Sequence, residues 1–181
     1  MRAINKIIIH CSATPEGRND TVDDIWDWHV NGNGWSDIGY HYVIHLDGSV
    51  HEGRQEETRG AHTSGQNHDS IGICYVGGMN ADMTAPKDTR TPEQKAALRE
   101  LVHELLSRYP EASVHGHREY ANKACPSFDV QAEAWDEGEG NRMDNTEAPD
   151  DPLERALHHA GEVGRALVEL KRKASGSRPS K

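Results

Sequence analysis

Several protein classes are excluded by what this chain lacks. Of its 181 residues only three are cysteines, at positions 11, 74 and 125. An odd and small number makes no disulfide framework, and a reducing compartment or a metal role accounts better for them. No apolar run approaches the roughly 18–20 residues that a membrane-spanning helix requires. The opening MRAINKIIIH holds a run of three Ile, too short for the core of a secretory signal, and no small-residue cleavage site follows. The expectation is therefore a protein made in the cytoplasm without a signal peptide. Basic charge is also scarce: 20 Lys and Arg stand against 30 Asp and Glu, a formal net charge of -10. A broad nucleic-acid surface needs clustered cations, so no nucleic-acid partner is expected. Neither a GxSxG nucleophile elbow nor a CxxC pair is present. What the chain has in abundance is histidine, twelve in all.

The hydrophobic fraction of 34% implies that part of the chain builds no core. Composition shifts near residue 131. From Gln131 to Pro152 there are eight acids and one base, and after Trp135 the only large apolar residue is Met143. Such a stretch buries too little surface to offset its ordering entropy. We divide the chain into a domain-sized body over 1–137, an acidic flexible linker over 138–152, and an amphipathic C-terminal helix with a basic tail over 153–181. In that last segment Leu153, Ala156, Ala160, Val163, Leu167 and Leu170 recur at spacings of three and four. The pattern suits self-association or docking on the body. Contact with an anionic envelope ranks lower, because Glu154, Glu162 and Glu169 interrupt the basic face.

The body reads as α/β, a central mixed sheet flanked by helices. Strands are expected at Lys6–His10, His41–Leu46, Ser49–Glu52, Ser70–Val76 and Ser113–His117. Asp47-Gly48 marks a hairpin between the second and third of these, and Gly77-Gly78 closes the fourth. A first helix should run from Thr21 to Val30, capped by Thr21 or Asp20, with Val22, Ile25, Trp26 and His29 on one face. The clearest helix spans Thr91–Tyr109. Thr91 caps it, Pro92 opens its first turn and Gln94 completes a capping box. Its apolar stripe is Ala97, Leu98, Leu101, Val102, Leu105 and Leu106.

Three places combine histidine or cysteine with a chain punctuation mark: His10 at the end of the first strand, His115 and His117 in VHGHRE, and Cys125 in KACPSF. One thiolate and two neutral imidazoles make a sound zinc set, and three protein ligands leave a fourth position open, as in catalytic sites. Spacing alone does not settle the matter. His10 can equally be a satisfied core histidine, Cys125 a small buried hydrophobe, and one of His115 and His117 a bystander. Cys11 and Cys74 read as core. His117-Arg118-Glu119 also matches the His-x-Glu of zinc deaminases, but Phe128 occupies the place where that pattern needs its second cysteine.

The blocks IIIHCSAT, GWSDIGYHYVIHLDGSV, HDSIGICYVGG and HGHREYANKACPSFD, taken in order, resemble the type-2 N-acetylmuramoyl-L-alanine amidases. The likeness is strongest to the amidase-type lysozymes of lytic coliphages, which share the fold of the peptidoglycan recognition proteins, and it covers about residues 4–136. The resemblance implies an enzyme with one Zn²⁺ per chain that hydrolyses the amide between N-acetylmuramic acid and L-alanine in peptidoglycan. By position, His10, His117 and Cys125 correspond to the zinc ligands, and Tyr40 and Lys123 to the catalytic tyrosine and lysine. In the loop from Gly60 to Asp69, His62, Asn67 and His68 are candidates for substrate contact. The setting implied is that of a phage or prophage endolysin, which reaches the cell wall after a separate protein permeabilises the membrane. A cytosolic cell-wall recycling amidase is the alternative setting for the same chemistry. A non-catalytic peptidoglycan-binding protein is disfavoured by the retained cysteine, tyrosine and lysine. Regulation of a polymerase is disfavoured because hardly any residues precede the first strand.

Overall fold

The computed structural model describes residues 2–135. The linker expected over 138–152 and the helix expected over 153–181 lie outside the described residues. Seven strands and two α-helices organise the body. They are β1 (Lys6–Cys11), β2 (Thr14–Pro15), α1 (Val22–Asp27), β3 (Tyr42–Ile44), β4 (Val50–Glu52), β5 (Ser70–Tyr75), β6 (Gly78–Met79), α2 (Pro92–Arg108) and β7 (Ser113–Gly116).

The main sheet has the order β4-β3-β5-β1-β7. Only the β3–β4 hairpin is antiparallel; β1 runs parallel to both β5 and β7, and β3 parallel to β5. The expected mixed sheet is therefore present. Its inner position explains why β1 is apolar without alternation: Ile7, Ile8 and Ile9 are all fully buried, as a strand covered on both faces demands. Side chains alternate across the sheet. Ile7, Ile9, Ile71, Ile73 and Tyr75 face α2 and pack on Leu98, Leu101, Val102 and Leu105. On the other face His10, Cys74 and Val43 lie in register across β1, β5 and β3. That face is closed by a smaller cluster of Ile25, Ile38, Val43 and Val76. Cys11 and Cys74 are both buried, as expected of core cysteines.

α2 begins where the sequence predicts. Thr91 and Gln94 form the capping box, with Pro92 in the first turn. Gln94 does more than cap. Its side chain is fully buried, and Nε2 donates to the carbonyls of Ile44 (3.1 Å) and Val76 (3.0 Å), tying the helix start to the ends of β3 and β5.

The first helix differs from expectation. It is α-helical only over Val22–Asp27, capped by Thr21, and then widens into a π turn over Trp28–Gly32. Its inward ridge is Val22, Ile25 and Trp28, an i, i+3 row, while Trp26 is 42% exposed. The expected face that included Trp26 is thus rotated by tertiary packing around Ile25. The two-residue strands β2 and β6 pair in a separate small sheet that local pattern does not reveal. It depends on Gly77 and Gly78, at φ +128° and +102°, and a Cβ at Gly78 would stand 2.4 Å from the Cys11 sulfur.

Candidate metal centre

β1 delivers His10 to the face opposite α2, fully buried. β7 ends one residue before His117, which opens a short 3₁₀ turn over His117–Glu119. The turn is held by the Gly116 N–H donating to Glu119 Oε1 (2.6 Å) and the Arg118 N–H donating to the Cys125 carbonyl (2.8 Å). Gly116 sits in a tight space: an added Cβ would crowd Pro126 at 3.0 Å and Val130 at 3.1 Å. The loop carrying Cys125 is anchored by Tyr75, whose hydroxyl donates to the Pro126 carbonyl (2.6 Å), and by Ser127, whose hydroxyl donates to the Gly78 carbonyl (2.8 Å).

These three anchors bring one donor atom each of His10, His117 and Cys125 within 4.8 Å of one another. His10 Nδ1 stands 3.8 Å from Cys125 Sγ, and the His10 and His117 rings lie 4.6 Å apart. In a tetrahedral zinc site with Zn–S of about 2.3 Å and Zn–N of about 2.0–2.1 Å, a nitrogen–sulfur edge is about 3.6 Å. The protonation states agree with such a role. Burial holds His10 well below its ordinary value and lowers His117 as well, with the Lys123 charge adding to both. Both imidazoles are therefore neutral, the form a metal requires. The Cys11 thiol beside it, and then burial, push the Cys125 thiol up, a bias that a bound cation would reverse. The Cys11 N–H already points at Cys125 Sγ (3.3 Å), a hydrogen bond that favours thiolate. The donor set thus fits a zinc ion. His115, by contrast, turns aside to Glu119 Oε2 (2.7 Å) and Ser113 Oγ (2.8 Å) and is the bystander of the pair.

The other expected site residues separate. Tyr40 comes to the centre: its ring lies 5.2 Å from His10, and burial raises its phenol well above the ordinary value, so it stays protonated. Lys123 is exposed and lines a cleft of about 420 Å³ with His117, His62 and Asn67. His62 is buried, with Nδ1 3.0 Å from His10 Nε2. Asn67 is buried too, and its Oδ1 accepts from the backbone N–H groups of His62 (3.0 Å) and Thr63 (2.8 Å), so it shapes the loop. His68 is not brought into the cleft. Asp69 is tied to Lys6 at 2.7 Å as β5 begins, which turns His68 outward to lie exposed at 3.4 Å from Asp69 Oδ1. Sequence reasoning missed Trp35, Arg59 and Tyr120, which also line the cleft. Trp35 stacks on His29 at 4.6 Å. They sit on loops or short turns, where no periodic pattern marks a residue.

Comparison with known proteins identifies the family and the fold. Residues 1–128 match the family model described as N-acetylmuramoyl-L-alanine amidase. The endolysin of Escherichia phage T7 is 44% identical over 133 residues, covering 74% of this chain and 86% of that protein. The endolysin of Enterobacteria phage K11 is 42% identical over 127 residues, covering 70% and 83%. Among solved structures, the N-acetylmuramoyl-L-alanine amidase LysC from Clostridium intestinale superposes with a TM-score of 0.61 at 29% identity, covering 71% of this chain and 79% of that one. Drosophila PGRP-LB gives 0.60 at 27% identity, with coverage of 70% and 76%. With a family match over most of the chain and phage relatives above 40% identity, this chain belongs to the N-acetylmuramoyl-L-alanine amidase family.

Proposed function

We propose that the chain is a zinc-dependent amidase acting as a phage or prophage endolysin, cutting peptidoglycan between N-acetylmuramic acid and L-alanine. The observation that carries the reading is the convergence of two neutral imidazoles and one cysteine sulfur, from three separate parts of the chain, within 4.8 Å. When bound by His10, His117 and Cys125, zinc supplies Lewis acidity toward the amide carbonyl and hydroxide from water near neutral pH. Water adds to the lactyl carbonyl, the carbon–nitrogen bond breaks, and the products are a lactyl carboxylate and the free amine of L-alanine.

The chain's own residues supply the rest. Lys123 offers a positive charge beside His117 for the oxyanion that develops on the carbonyl oxygen. Tyr40, protonated at neutral pH, gives a hydrogen bond and relays to the departing nitrogen the proton that the adding water loses, so its own phenol is restored. Asn67 holds the loop that forms one wall of the cleft. In a chain of net charge -10, the cleft is lined by Arg59 and Lys123 and, among the described residues, by no carboxylate side chain. That sign suits the carboxylates of a peptidoglycan stem peptide. The site of action is then the cell wall. The recycling alternative uses the same bond, and the identity to phage endolysins favours the lytic setting.

The test is direct. Purified protein incubated with peptidoglycan should release stem peptides with a free L-alanine amine, identified by mass spectrometry, and a chelator should stop the release. Intact muropeptides at every zinc concentration would overturn the proposal.

A further inference from the structure

We infer that His62 is a positioning residue that holds His10 in the orientation and tautomer needed to bind metal through Nδ1, an inference that rests on the zinc reading above. The loop residue Thr63 lies alongside as a parallel contact. Three observations converge on this role.

The first is direction. His10 Nδ1 faces the Cys125 sulfur at 3.8 Å, so the opposite ring nitrogen, Nε2, must carry the proton when the metal binds. That N–H has two acceptors in reach, His62 Nδ1 at 3.0 Å and Thr63 Oγ1 at 3.3 Å. Beyond them the donors run one way. His62 Nε2 lies 3.4 Å from Ser70 Oγ, and the Ser70 hydroxyl donates to the Gln66 carbonyl at 2.8 Å. His10 then donates, His62 and Ser70 each accept once and donate once, and the row ends on a backbone carbonyl.

The second is space. The His62 ring lies where a side chain at Gly72 or Gly60 would be. A Cβ on Gly72 would stand 2.5 Å from His62 Cγ, and one on Gly60 would stand 2.6 Å from His62 Cδ2. Gly72 is in mid-strand, where glycine weakens a strand and commonly marks a close approach. The fold has cleared a place on the sheet for this one ring.

The third is availability. His62 is buried, stands edge-on to His10 at 83°, and has both nitrogens engaged. It touches the cleft wall but has no free nitrogen to offer a substrate. It is not part of the group whose donor atoms converge on the metal position. A neighbour that accepts the second N–H of a ligating histidine fixes the ring and raises its basicity, and losing it typically costs about 10- to 100-fold in metal affinity.

The experiment measures the zinc dissociation constant by competition with a chromophoric chelator, together with ¹⁵N spectra of the histidine rings in the zinc-loaded protein. The wild type should bind, with His10 ligating through Nδ1 and a slowly exchanging Nε2–H. His62→Phe, which keeps the ring and removes the acceptor, should weaken binding by about 10- to 100-fold. His62→Asn returns an acceptor near the Nδ1 position and should recover part of the loss. Gly72→Ala leaves His62 chemically intact but displaces its ring, and should weaken binding in the same direction. This variant decides the matter if His62→Phe does not fold. A wild type that fails to bind zinc would sink the zinc reading itself. A wild type that binds while His62→Phe and Gly72→Ala bind equally well would overturn the positioning role alone, as would spectra with His10 ligating through Nε2.

Discussion

Acidifying the metal-free protein from pH 7 to pH 5 should remove about 4 kcal/mol of folding free energy, and His41 and His62 set that figure. Both are buried and held neutral, with burial lowering His41 to about 4 and His62 to about 3. In the unfolded chain each returns to an ordinary value of 6.5. As pH falls, the unfolded state therefore takes up protons first, and stability drains away between 6.5 and the folded values. At pH 5 the unfolded imidazole lies about 1.5 pH units past its midpoint while the folded one is still neutral, which costs about 2 kcal/mol per histidine. His10 shifts in the same direction and deepens the loss. A domain of ordinary stability holds about 5–15 kcal/mol, so the acid form should be marginal. The carboxylates with lowered values, such as Glu56 and Asp69, lose their stabilising partners only as pH falls further, below the ordinary carboxylate range. The assay is urea unfolding followed by circular dichroism at a series of pH values. His41→Gln should be less stable at pH 7 but show a visibly shallower pH dependence. Stability that stays flat from pH 7 to pH 5, and falls only where carboxylates titrate, would refute the reasoning.

Cys125→Ala should lose bound zinc and turnover together, read by metal analysis beside a peptidoglycan release assay. Lys123→Ala should keep its zinc and lose about 10²- to 10³-fold in kcat, the usual consequence of removing one donor to an oxyanion; full activity would dismiss that role. Gln94→Leu strips the Ile44 and Val76 carbonyls of their buried donor and should cost about 2–5 kcal/mol in chemical denaturation. A chain ending after Trp135 should keep wild-type turnover on purified peptidoglycan, because the three candidate ligands and the cleft lining found among the described residues all lie before that point.

How much of this was legible in the sequence varied with the range of the forces involved. The capping box at Thr91 and Gln94, the three-isoleucine strand and the Asp47-Gly48 hairpin were readable because each is set by neighbours a few residues away. Strand ends were less so: β3, at Tyr42–Ile44, is shorter at both ends than the expected His41–Leu46. Trp28, not the expected Trp26, turned inward because helix phase answers to what lies around Ile25. The pairing of β2 with β6 left no local trace at all. For the site, His10, His117 and Cys125 were chemically suggestive, yet their spacing alone left a core histidine and a buried thiol as open readings. The resemblance across four blocks singled them out. His68 could not be told from His62 by residue type, and Arg59 and Trp35 carried no signal.

The sequence by itself determined the element types, the capped helix, the shortage of cations and the family to which the chain belongs. Those follow from local backbone preference, composition and ordered motifs, none of which needs a distant partner. Only the tertiary structure decided which histidines meet. β1 lies between β5 and β7, so a side chain at the end of the first strand lands beside one that follows it by more than a hundred residues. The same register places Gly72 under His62 and sends His68 and His115 outward. Convergence of this kind depends on strand order and on the space left between packed faces, and neither is written in any short stretch of the chain.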